Sequence, residues 1–117
     1  MTAATSLRPA TAALDGLRFD GIVLEPGKTA GDADTLIFEG GRFRSTACDR
    51  YAYGEGAYTA TVSGDGIRFE SETASPKYGQ LRWRGVVHEN RLDGTLTMVR
   101  DGVVLGEKWV LAGRVVS

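Results

Sequence analysis

The sequence predicts an all-β domain, an eight-stranded antiparallel up-and-down meander closed into a barrel. Three observations carry that expectation. Sixteen glycines stand against three prolines, with Val, Ile, Thr, Tyr, Phe and Trp gathered in short runs, as in strands joined by tight turns. Gly40-Gly41, Gly64-Asp65, Glu89-Asn90 and Asp101-Gly102 each suit a two-residue hairpin loop that needs positive φ. Between these turns, apolar and polar residues alternate, so each segment has one apolar face.

Eight segments follow in order: Leu17–Glu25, Asp34–Glu39, Arg42–Ala47, Ala57–Ser63, Gly66–Ser75, Gly79–His88, Arg91–Arg100 and Val103–Val115. None shows sustained helical periodicity. A turn centred on Lys77 sets Glu72 opposite Arg82 and Glu70 opposite Arg84 on the outer face. The same register points Phe69, Ser71 and Thr73 inward, opposite Gly85, Trp83 and Leu81; a slip of one residue would bury the arginines. On the last strand the alternation places Leu105, Glu107, Trp109 and Leu111 inward. An eight-stranded sheet with one apolar face leaves two open edges unless the last strand pairs with the first.

At 117 residues the chain supports one core rather than two. Residues 1–14 read as a flexible tail and 15–117 as the barrel domain. The first residues have no apolar run long enough for a signal peptide or a membrane span. The expected location is therefore cytoplasmic, or periplasmic if a leader has been removed. A net charge of −1 gives no global attraction to nucleic acid or to an acidic membrane. No metal-type Cys/His spacing is present, and neither a metal nor another cofactor is expected. The chain is expected as a monomer or a homodimer.

A meander barrel has two unlike ends. Three tight loops and the apolar Phe38, Phe43, Val62, Ile67, Val87 and Leu92 mark one end as a closed floor. The longer connections Pro26–Ala33, Cys48–Gly56 and Ser75–Tyr78 mark the other as a mouth. Inward polar positions collect there: Ser45, Tyr58, Ser71, Thr73, Arg100 and Glu107, with Glu25 and Asp34 at the rim. A barrel of eight strands is wide enough to be filled or to hold one small ligand.

The meander, together with the late "LRWRGVVHENRLDGTLTMVRDG…EKWVLAGR" run of glycine-marked hairpins, resembles the small bacterial lipocalin-like (calycin-type) barrels. The likeness spans roughly residues 16–114 and lies in architecture. The first-strand Gly-x-Trp of lipocalins is absent, "GLRF" offering Gly16 and Phe19 instead. The resemblance implies a soluble protein that binds one small hydrophobic or aromatic molecule. Some barrels of this shape are isomerases or cyclases, which gives an alternative expectation.

The residues suggest roles within that cup. Glu107, if inward beside Trp83 and Trp109, would be a desolvated carboxylate able to move a proton or anchor a ligand. A bulge at Gly106 would instead turn it to solvent. Tyr58 is the second candidate for proton transfer. Trp83, Trp109, Tyr58 and Met98 either fill the core or wall a pocket, and Ser71, Thr73 and Arg100 are candidate polar contacts. Tyr51 and Tyr53 lie in the loop "STACDRYAYGEG", where Gly54 and Gly56 would let them move as a lid. Cys48 in the same loop lacks a base: His88, the sole histidine, belongs to the opposite end. A packing role fits it better than a nucleophilic one. The arginines of "RFR" and "RWR" alternate outward and face glutamates, an ion-paired surface rather than a nucleic-acid groove.

Overall fold

Positive φ marks the hairpin turns: 59° and 77° at Gly40 and Gly41, 60° at Gly64, 56° at Glu89, 52° and 78° at Asp101 and Gly102. Between them the computed structural model, which describes residues 11–115, forms eight strands. They are β1 (Arg18–Leu24), β2 (Asp32–Glu39), β3 (Arg42–Ser45), β4 (Glu55–Ser63), β5 (Gly66–Ser75), β6 (Gly79–His88), β7 (Arg91–Arg100) and β8 (Val103–Arg114). Each pairs antiparallel with its sequence neighbour, and β1 pairs with β8, so the barrel is closed. The predicted architecture is the one observed.

The β5–β6 register is the one that the charge pairs require. Glu72 faces Arg82 and Glu70 faces Arg84, while Phe69, Ser71 and Thr73 oppose Gly85, Trp83 and Leu81. Arg82 Nε lies 3.3 Å from Glu72 Oε1, and Arg42 Nε lies 3.4 Å from Glu55 Oε1 on the same solvated face.

Closure demands close backbone contact between β1 and β8. Gly21 is aligned with Ala112, and a Cβ on Gly21 would fall 2.0 Å from the Leu111 carbonyl oxygen. A side chain there is sterically impossible without separating the strands, which explains a glycine in mid-strand.

An aromatic cluster fills the floor. Phe38 packs at 5.0 Å against both Tyr58 and Phe69 and at 5.9 Å against Phe19, each edge to face. Edge contacts of this kind place the positive rim of one ring on the negative face of the next. Val62, expected in this floor, is 38% exposed. Arg42, the first residue of β3, pairs with Ala57, so the far end of β4 runs past the β2–β3 turn.

Of the expected tail, residues 1–10 lie outside the described residues. The next part does not hang free: Thr11–Leu14 form one helical turn, α1, and Leu14 is fully buried in the core. The Gly16 N–H donates to the Phe38 carbonyl, and Asp15 Oδ1 accepts from the Gly41 N–H and the Tyr58 hydroxyl. The chain thus closes its own floor before the first strand begins. Among the described residues, no helix is long and apolar enough to cross a membrane.

Candidate functional site

At the opposite end the structure holds a cavity of about 650 Å³. Its wall is apolar: Val23 from β1, Leu81 and Trp83 from β6, Leu96 and Met98 from β7. These residues line it because inner-face positions recur every second residue along each strand. Trp83 is almost wholly buried, and its indole N–H donates to Thr73 Oγ1 at 3.2 Å.

The loop over the mouth is folded. Strand β3 stops at Ser45, and Thr46–Tyr51 form a short 3-10 helix where a strand followed by a loop was expected. Two 3-10 turns are too short to leave a readable helical period. Arg44 grips Asp49 with Nε at 3.0 Å and a terminal guanidinium nitrogen at 2.8 Å from Oδ2, fastening the turn to β3. Ser75 Oγ donates to the Tyr51 carbonyl at 2.7 Å, fastening it to β5. Gly56 is not a hinge but part of β4, where a Cβ would meet the Glu72 carbonyl oxygen at 2.0 Å. In this conformation the loop expected as a lid forms the rim of the mouth, tied to β3 and β5 by these bonds.

Three tyrosines edge the opening. Tyr51 and Tyr78 meet edge to face at 5.5 Å, and Tyr53 lies 6.4 Å from Tyr78. Tyr51 and Tyr78 are half exposed, whereas Tyr53 packs against the core and its hydroxyl is pushed above its usual range by burial.

Strand β8 corrects the central expectation. Val104 pairs with Val99, but Met98 pairs with Gly106, so Leu105 is an extra residue without a partner. This β-bulge inverts every later position on the strand. Glu107 and Trp109 face outward and are exposed, while Lys108, opposite the inward Leu96, lines the cavity. Leu105 and Leu111 are likewise exposed. Arg100 is exposed beside the β7–β8 turn, where its guanidinium keeps its hydration, and does not line the cavity.

Tyr58 is also no cavity residue. Its hydroxyl donates to Asp15 at 2.6 Å near the floor, and burial together with that carboxylate drives its pKa strongly upward. Ser71 donates to the Ala57 carbonyl at 2.9 Å, and Thr73 accepts from Trp83, so both satisfy internal partners. Of the residues singled out in the sequence, the structure gathers Tyr51, Tyr53, Trp83 and Met98 around the cavity. Asp34, expected at the rim, belongs to it as well, as do Lys108 and Tyr78, which had not been chosen.

Asp34 is the buried charge-bearing group of the rim. Its Oδ2 accepts from Ser45 Oγ at 2.5 Å and its Oδ1 from the Ala47 N–H at 3.0 Å. Desolvation nevertheless outweighs those bonds and raises its pKa above the ordinary carboxylate value. Cys48 is held as a neutral thiol, its pKa raised first by burial and then by Asp34 and Asp49, against opposing influences from Ser45 and Lys108. It is therefore poorly suited to act as a nucleophile. Among the described residues, no group of three His, Cys, Asp or Glu side chains could hold a metal ion.

Comparison with protein-family models, curated proteins and solved structures finds no match for this chain. The closed barrel is compatible with a calycin-like fold.

Proposed function

We propose that this chain binds one small, largely apolar molecule in the mouth of the barrel. The supporting observation is the cavity itself: about 650 Å³, within the range that ligand pockets occupy. Apart from Lys108, apolar side chains make its wall, and the other polar groups stand at its rim, an arrangement that buries a hydrophobic body and orients one end. The flat face of Trp83 and the three rim tyrosines favour an aromatic or planar body. On this reading the barrel works as lipocalin-like cups do, by sequestering a molecule rather than by transforming it. Neither Glu107 nor Tyr58 lines the cavity, which favours binding over the alternative of a proton-transfer reaction there.

Titration with phenylnaphthylamine, a neutral apolar dye that brightens on leaving water, tests the proposal. Saturable binding at one site should be seen. Ala47→Phe, which adds a ring to an exposed rim position, should weaken it without disturbing the core. Absence of saturable binding, or binding indifferent to Ala47→Phe, would overturn the reading.

A further inference from the structure

We infer that the molecule held in the mouth cavity carries one anionic group, and that Lys108 receives it. This rests on the ligand-binding reading above and narrows it to amphipathic monoanions. The bulge at Leu105 places Lys108 on the inner wall opposite Leu96, beside the cavity that Trp83 and Met98 also line. An ammonium in such a place is costly unless something pairs with it. Lysine limits the cost by laying its stem on the apolar wall and keeping its head toward water, and the side chain is 30% exposed.

Its ion pair among the described residues is a poor one. Lys108 Nζ lies 3.8 Å from Glu25 Oε1, beyond hydrogen-bond reach, and Glu25 is 64% exposed. Asp34, the buried carboxylate of the same rim, accepts from Ser45 and the Ala47 N–H, and among the described residues no ion pair joins it to Lys108. Arg50 adds a second positive group to the rim, its guanidinium 5.9 Å from the centre of the Tyr51 ring, while Asp32 is the exposed opposing charge. A ligand anion can displace the weakly held Glu25 and meet Lys108 directly, while its apolar body lies against Trp83, Leu96 and Met98. A neutral ligand of the same shape would leave the ammonium as it stands and gain nothing from it.

Phenylnaphthylamine and anilinonaphthalene sulfonate share one aromatic skeleton and differ by a sulfonate, so together they isolate the charge. The sulfonated dye should bind the wild-type chain about tenfold more tightly than the neutral one. Lys108→Met should erase that preference. Lys108→Arg should keep the preference, and Glu25→Gln should enlarge it. Added salt should weaken only the sulfonated dye. Equal affinities for the two dyes, or a preference that survives Lys108→Met, would overturn this inference while leaving the cavity-binding proposal standing. Failure of both dyes to bind would overturn both.

Discussion

The Tyr58 hydroxyl donates to Asp15 Oδ1 across 2.6 Å, joining the barrel wall to the segment that closes its floor. Asp15 also accepts the Gly41 N–H, and the neighbouring Leu14 is fully buried. Phenol, carboxylate and leucine together make the N-terminal turn part of the core. Tyr58→Phe should therefore lower the melting temperature by a few degrees. Leu14→Ala should cost more, about 2–4 kcal/mol, since it removes a buried side chain from a packed site. Thermal and denaturant unfolding would measure both. A Leu14→Ala variant as stable as wild type would show that the turn does not close the floor.

Asp34 predicts a pH dependence of definite sign. Its pKa is raised in the folded chain, so the unfolded chain ionises first as pH rises. The stability it contributes is full below the ordinary carboxylate pKa and is lost as pH rises through the folded value. Asp15 works in the opposite sense, because its hydrogen bonds from Tyr58 and Gly41 lower its pKa; the stability that it contributes is lost as pH falls. Comparison with Asp34→Asn separates the two, since the amide oxygen can still accept the Ala47 N–H. Between about pH 3 and pH 7 the variant should gain stability relative to wild type. Denaturant unfolding across that range checks it; a difference that stays constant with pH would refute the assignment.

The β1–β8 seam depends on Gly21. With a Cβ held 2.0 Å from the Leu111 carbonyl oxygen, Gly21→Val should cost at least about 3 kcal/mol. Hydrogen exchange of the amides paired between β1 and β8 should rise most.

At the β6–β7 turn, Glu89 holds a φ of 56° that glycine adopts at lower cost. Glu89→Gly should raise stability by up to about 1 kcal/mol, with no change in dye binding at the distant mouth.

Strand order, closure and the β5–β6 register were legible because charge pairs and paired turns overdetermine them. Glu72 and Arg82 had to share the outer face, and that fixed Trp83 and Thr73 on the inner one. Strand β8 was different. Its apolar residues fall on both parities, with Val104, Trp109 and Leu111 on no single face, so alternation alone could not choose. One unpaired residue, Leu105, then exchanged Glu107 for Lys108 at the cavity. Gly106 was the available signal, since glycine within a strand often marks a bulge. Asp34 was legible as a rim residue, but not its burial. That burial follows from the 3-10 turn after Ser45, which carries the Ala47 N–H onto its carboxylate. Tyr78 escaped notice because a turn residue shows its partners only once Tyr51 and Tyr53 are folded over it.

The two indole N–H groups give the most direct measurement of where a ligand sits. Trp83 is on the cavity wall, whereas Trp109 lies on the outer face and is 40% exposed. Nitrogen-edited NMR resolves both signals, and Trp→Phe variants assign them. On addition of phenylnaphthylamine, the Trp83 signal should move and saturate with one equivalent while the Trp109 signal stays in place. Movement of the Trp109 signal alone would put the dye on the outside of β8 and contradict a ligand site within the barrel mouth.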